Sequence, residues 1–169
     1  MSLIETERLS LREFSADDAA FILELLNEPS FIRNIADKGV RTLDDAVRYI
    51  SDGPVASYRR HGFGPWMVEL KDSRVPIGMC GLTKKDALTD ADIGYAFLPR
   101  HRSQGYAYEA AAAVMRHARD VLGLPRLLGV VNPGNAASIR VLEKLGLRYE
   151  RMVSLDADKP DVMLFTTGL

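Results

Sequence analysis

The sequence predicts an α+β fold, with a mixed, mostly antiparallel sheet of about six to seven strands flanked by about four helices, in a single domain over residues 1–169. Three observations carry this. Strand-like runs at 63–70, 75–83 and 92–97 follow one another through short polar links, as antiparallel neighbours do. Two segments with helical spacing precede them, at 15–26 and from Thr42 toward Tyr58. The last strand of the meander passes through a basic glycine turn into an alanine-rich helix, and a second helix follows between short apolar runs.

Composition narrows the function classes. A chain of 169 residues can bury its own core, and 47% hydrophobic with 27% charged residues fits a globular protein. A net charge of -1 leaves no electrostatic footprint for nucleic acid. The single cysteine, Cys80, excludes an internal disulfide framework and fits a reducing compartment. No apolar run approaches the roughly 18 residues of a membrane span and no signal segment opens the chain, so neither a membrane nor export is expected and the cytoplasm is the default location. His61, His101 and His117 have no metal-like spacing, and no metal is implied.

Taken in order, Leu9, Leu11 and Glu13 alternate with Arg8, Ser10 and Arg12, the period of a half-buried strand. Ser15 with Asp17 and Asp18 reads as a helix start; Phe21, Ile22, Leu25 and Leu26 follow at helical spacing, and Pro29 ends the element. A second helix starts at Thr42-Leu43-Asp44-Asp45 with Ala46, Val47, Tyr49 and Ile50 on its apolar face, and Gly53-Pro54 breaks or interrupts it. Arg59-Arg60-His61 suits the C-terminal end of that helix, where cations are favoured. Gly78 and Gly81 in the next strands mark a bulge or a close backbone approach. Beyond the meander, the helix from Ala107 to Leu122 stops at Gly123-Leu124-Pro125, and Arg126 to Val131 reads as a buried strand beside the central one. Asn135-Ala136-Ala137-Ser138 opens a helix through Lys144 that Gly146 closes, and 147–152 and 162–167 read as two closing strands.

The chemistry concentrates where the central strand, Asp92 to Leu98, meets the helix after Gly105. A helix N-terminus offers unpaired N–H groups and a positive dipole end, suited to a pyrophosphate. Gly105 admits close approach, Ala107 keeps the first turn small, and Arg100, His101 and Arg102 stand nearby as donors. Neither Gly-x-x-x-x-Gly-Lys-Ser/Thr nor Gly-x-Gly-x-x-Gly is present. Taken alone, the turn also fits a basic helix start after a hairpin.

The segment Arg102-Ser103-Gln104-Gly105-Tyr106-Ala107 resembles the Gln/Arg-x-x-Gly-x-Gly/Ala loop of the GCN5-related N-acetyltransferases, the GNAT family. The stretch Asn132-Pro133-Gly134-Asn135 to Ser138, with Glu143-Lys144-Leu145-Gly146, is similar to the Asn-x-x-Ser and Glu-Lys-Leu-Gly-Phe block that follows that loop in the same family. The opening Thr6-Glu7-Arg8-Leu9 and Leu11-Arg12 resembles the branch of ribosomal-protein-alanine N-acetyltransferases. The resemblance spans nearly the whole chain and implies one N-acetyltransferase domain that moves an acetyl group directly from acetyl-coenzyme A to a primary amine, either a protein N-terminus or a small molecule. Relatives that pair through their last strands imply a homodimer. A second reading is a module that binds the coenzyme without turnover.

On this resemblance, backbone groups of Ala96, Phe97 and Leu98 hold the pantetheine arm, and the Phe97 N–H polarises the thioester carbonyl. The N–H groups of Arg102, Ser103, Gln104, Gly105, Tyr106, Ala107 and Tyr108 receive the pyrophosphate. Asn132 and Asn135 reach the coenzyme, and Ser138 approaches the sulfur. Ordinary ladder pairing for the strand residues and helix capping for Asn135 and Ser138 are equally consistent with the residues alone. Asp92 is the candidate general base, with Tyr95 and His101 behind it, against a plain solvated turn aspartate. Many relatives carry a tyrosine as acid in the last helix, where Leu142 stands here, so transfer without a dedicated acid is expected. Cys80 reads as a buried apolar residue, and His117 as a surface one.

Overall fold

The computed structural model describes residues 2–169. Eight strands form one sheet: β1 (Ile4–Glu5), β2 (Leu9–Arg12), β3 (Pro65–Leu70), β4 (Pro76–Thr83), β5 (Asp92–Phe97), β6 (Arg126–Val131), β7 (Arg148–Val153) and β8 (Val162–Gly168). Their order is β1-β2-β3-β4-β5-β6-β8-β7, and β5–β6 is the parallel pair among antiparallel neighbours. The α+β expectation therefore stands, with a sheet one strand wider than expected. The added strand is β1, two residues that pair Ile4 with Leu11, too short to leave a period in the sequence.

The expected helices are α1 (Ala19–Leu26), α3 (Leu43–Ile50), α5 (Tyr106–Asp120) and α6 (Ala136–Lys144); two short ones, α2 (Pro29–Asn34) and α4 (Ala56–His61), lie between them. Pro29 does not end α1, which stops at Leu26; it opens α2 from the first helical position, where its missing N–H costs nothing. Gly53-Pro54 interrupts the second helix, as expected, without ending its path. A π-helical turn over Ser51–Val55 absorbs the proline, and the path continues into α4 until Gly62 closes it at φ 77°. Thr42 caps α3 as its sequence announces, accepting from the Asp45 N–H at 3.0 Å.

Strand alternation divides the core. Trp66, Cys80, Ile93 and Phe97 face α5, whose Ala110, Ala111, Val114 and Ala118 are fully buried against them. Short side chains let that helix lie close to the sheet, which explains its alanines. Met67, Met79, Ala96 and Leu98 face the other way, onto Ile22, Leu25, Leu26 and Ile50 of α1 and α3. The two glycines of β4 mark close approaches: a Cβ on Gly81 would stand 2.1 Å from Gly64 O, and one on Gly78 2.4 Å from Ala96 O. His117 departs from expectation. It is half-buried, edge-on to Trp66 at 5.5 Å between ring centres, and burial lowers its pKa. No helix of the described residues is long and apolar enough to cross a membrane.

Candidate active site

The sheet parts where its one parallel pair begins. β5 and β6 are in register only at Asp92–Leu128 and Ile93–Gly129; beyond that, β6 stays with β8 up to Val131–Met163 while β5 stays with β4 up to Phe97–Gly78. Gly94 to Phe97 and Val130 to Val131 therefore border a wedge-shaped gap. It opens into a cleft of about 630 Å³ lined by β5, the turn before α5, the start of α6, α2 and the loop after β7.

Backbone direction in β5 decides which groups face the gap. Leu98 N–H donates to Ile77 O at 3.0 Å on the β4 side, so by alternation Ala96 also turns to β4 while Tyr95 and Phe97 turn to the gap. This corrects two of the three expected pantetheine contacts. Leu98 has its C=O taken by His101 N–H at 3.0 Å and its side chain fully buried, and Ala96 reaches the cleft through its side chain alone. Phe97 keeps its N–H toward the gap; its carbonyl accepts from Arg102 Nε at 3.1 Å and Nη2 at 2.8 Å. Tyr95, passed over as a backbone contact, joins it.

At the mouth, α5 runs 15 residues from Gly105. Ser103 and Gly105 both have positive φ, 61° and 81°, the left-handed backbone that anion-binding turns use, directly before the helix N-terminus. Arg102, Ser103, Gly105, Tyr106, Ala107 and Tyr108 all line the cleft. Gln104 does not; its carbonyl accepts from Arg8 Nη1 at 2.9 Å on the outside of the turn. Arg102 spans the mouth, from Phe97 O to Ser30 Oγ of α2 at 2.7 Å. His101 Nε2 is buried with no partner, at a residue that lines the cleft, and burial and then Arg100 lower its pKa, so the ring is neutral near pH 7.

A strand-shaped gap with free backbone polar groups, a basic anion cradle and an orphaned buried nitrogen fit a long ligand with amides in its middle and phosphates at one end. Phe97, Tyr95 and the cradle from Arg102 to Tyr108 would hold acetyl-coenzyme A there.

Opposite β5, Asn135 caps α6, accepting from Ser138 N–H at 3.3 Å. Ser138 Oγ lies 2.8 Å from Tyr95 Oη. Burial, eased by that hydrogen bond, raises the Tyr95 phenol to about 12, so it is a proton carrier at working pH. Asn132 lines the cleft as well, its amide donating to Asn34 O of α2 at 2.8 Å. Leu142 is buried against the β6 backbone; a Cβ on Gly129 would meet it at 2.9 Å.

At the closed end stands Asp92, neither solvated nor free. It is 2% exposed, accepts from Thr83 Oγ1 at 2.8 Å and Lys85 Nζ at 2.6 Å, and so has both oxygens engaged. Lys85 sat in a polar link with no periodic signal, and sequence reasoning missed it; it lines the same cleft.

The sequence matches the model of the acetyltransferase (GNAT) domain over residues 8–148. It is 30% identical to the N-acetyltransferase YoaA of Bacillus subtilis (strain 168), over 88% of this chain and 84% of that one. The fold superposes on a GNAT-family acetyltransferase from Bacillus anthracis with TM-score 0.81 and 25% identity, covering 98% and 97% of the two chains. It also matches RimL, a ribosomal L7/L12 alpha-N-protein acetyltransferase in complex with coenzyme A, with TM-score 0.85, covering 100% and 98%, at 16% identity, a likeness of fold alone. With a family match across most of its length, a parted sheet and an anion cradle at the mouth of the gap, this chain belongs to the GNAT family and is an N-acetyltransferase.

Proposed function

We propose that the protein moves an acetyl group by direct transfer to a primary amine, a protein N-terminus or a small molecule, as a member of the branch that holds the ribosomal-protein N-terminal acetyltransferases. The observation that carries the reading is the gap beyond Ile93 and Gly129 with the turn of Gly105 at its mouth. The branch assignment rests on the opening Thr6 to Arg12.

GNAT enzymes use acetyl-coenzyme A, which supplies an activated acyl group as a thioester. The chain's own residues supply position and charge. Phe97 N–H, held toward the gap by its place in β5, would stand as the donor to a thioester carbonyl bound there. Ser138, backed by the Tyr95 phenol, would hold a proton available to a thiolate leaving group. This hydroxyl pair replaces the expectation of transfer without an acid. Cys80 is fully buried, its thiol pKa pushed well above the usual range by burial, which favours direct transfer over an acetylated cysteine. Asp92, with both oxygens engaged, holds Lys85 in place, and the amine proton leaves to water in the open cleft.

The test is thiol release from acetyl-coenzyme A over a panel of N-terminal peptides, amino acids, polyamines and aminoglycosides, with thermal shift on acetyl-coenzyme A alongside. Amine-dependent release together with a shift is expected. A shift with no release across the panel would count against the transfer, and no shift against the site itself.

A further inference from the structure

α2 is tied across the cleft from both of its sides. Its 6 residues are too few to hold a helix by themselves, and each end is held by a side chain from far along the chain. At its start, Ser30 Oγ accepts from Arg102 Nη2 at 2.7 Å, and that guanidinium is braced on Phe97 O at the end of β5. At its end, Asn34 O accepts at 2.8 Å from Nδ2 of Asn132, the residue that follows β6. Asn34 closes α2, so its carbonyl is one that a helix end leaves without an intrahelical partner. The helix therefore bridges the two strands that part, with one tie toward each. The family resemblance gives Arg102 and Asn132 to the coenzyme; in this structure both side chains go to α2.

What this strap presents to the cleft is apolar. Phe31 is 3% exposed and anchored among Leu25 and Leu26, and Ile35, 48% exposed, follows it along the same wall. Leu155 and Val162, at the two ends of the β7–β8 connection, complete the apolar lining. Charge does not choose the acceptor here. The ionised groups that line the cleft are Glu28, Lys85, Asp92 and Arg102, two of each sign. Lys85 and Asp92 are paired at 2.6 Å, Glu28 lies two residues before the serine that Arg102 holds, and His101 is neutral near pH 7. With the charges balanced, the apolar wall is what remains to distinguish one amine from another.

We propose that the acceptor is a primary amine with an apolar group beside it, packed against Ile35, Leu155 and Val162, and that Arg102 and Asn132 are positioning residues that hold this wall over the cleft. This rests on the acetyltransferase reading and names the substrate class of that same site.

Leucinamide against glycinamide tests it, because the two amines share their charge and differ by an isobutyl group. Each is followed by thiol release from acetyl-coenzyme A. Leucinamide should exceed glycinamide about tenfold in kcat/KM, the low end for an apolar group in a pocket, since this cleft is open. Ile35→Ala shortens the wall itself. The double variant Ser30→Ala, Asn132→Ala cuts both ties and leaves Arg102 in place. Each should bring the two amines within about twofold of one another by raising the KM for leucinamide, while the thermal shift on acetyl-coenzyme A stays as in the wild type. Equal or better use of glycinamide by the wild type overturns the proposal, as does no turnover of either amine, or a preference that survives either variant. Loss of the coenzyme shift in the double variant also overturns it, by assigning the ties to the coenzyme. A wild-type protein that shows no coenzyme shift would instead sink the acetyltransferase reading beneath it.

Discussion

Arg8 Nε donates to Glu109 Oε1 at 2.7 Å, across a separation of 101 residues in sequence. The same guanidinium reaches Gln104 O at 2.9 Å and lies 4.5 Å from the centre of the Tyr106 ring, while Thr6 Oγ1 and Arg8 N–H donate to Glu109 Oε2 at 2.5 and 3.0 Å. The N-terminal motif is thereby a clamp on the cradle: it grips the turn at Gln104 and the first turn of α5 at Glu109.

Arg8→Ala should raise the Kd for acetyl-coenzyme A about tenfold, since the turn loses its external support while the fold keeps its core. Isothermal titration would check it, and an unchanged Kd would show the turn to be rigid by itself. Burial pushes the Glu109 carboxyl up, but hydrogen bonds from Thr6 and Arg8 outweigh it and hold the pKa below the ordinary 4.5. A depressed folded pKa contributes stability above the unfolded value and loses it as pH falls through the folded one. The clamp should therefore hold at pH 5 and above and release below 4.5; Glu109→Gln should remove that acid-side loss of coenzyme binding.

Gly105 sits at φ 81°, and a Cβ there would meet only Arg8 Nη2 at 3.4 Å. Space is not the constraint; the left-handed backbone is. Gly105→Ala should cost about 1 kcal/mol in urea unfolding, the usual penalty of that conformation for an L residue, and should weaken coenzyme binding beyond it if the turn flattens. A variant as stable as the wild type would mean that the turn had already left this conformation.

What the sequence revealed followed local rules. The glycine turn at Gly105, the Asn135 cap and the alanine-rich α5 are each written within a few consecutive residues, and these elements appear where expected. Much of the remainder is long-range. No local pattern says that Arg8 meets Glu109 or that Tyr95 meets Ser138, because each pair joins elements far apart in sequence; Lys85 and Asp92 are close in sequence, across the β4–β5 link, but that link carries no periodic signal. The direction of Ala96 and Leu98 depended on register with β4, and a one-residue shift in register exchanges every backbone group between the two sides. Pro29 misled because a proline marks a change of helical path without saying whether a helix stops or starts there.

The Tyr95 and Ser138 hydroxyls, 2.8 Å apart, make a graded prediction. Ser138→Ala should lower kcat about a hundredfold, the lower range for loss of a positioned proton donor. Tyr95→Phe keeps the packing but leaves Ser138 without its partner, and should cost about tenfold in kcat with KM little changed. Because burial raises the phenol to about 12, the kcat profile should show no tyrosine ionisation up to pH 10. Wild-type kcat in both variants would return the chemistry to unaided thiolate departure.

Asp92 and Lys85 bear on the remaining proton. If Asp92 took the amine proton, it would have to give up Lys85 at 2.6 Å and Thr83 at 2.8 Å at each turnover. Asp92→Asn separates the roles, because the amide keeps the shape and the Thr83 hydrogen bond but can neither accept a proton nor hold an ammonium. If Asp92 positions Lys85, kcat/KM should fall about tenfold while the acid limb of its pH profile keeps its midpoint. Urea unfolding should show a loss of about 1–2 kcal/mol, modest because Lys85 is 37% exposed and can turn to water. If Asp92 is the base, the acid limb should vanish and kcat should fall by several orders of magnitude. The hydrogen bonds on the carboxylate favour the first outcome: one oxygen is held by the Thr83 hydroxyl and the other by the Lys85 ammonium, and both would have to be released for the carboxylate to act elsewhere.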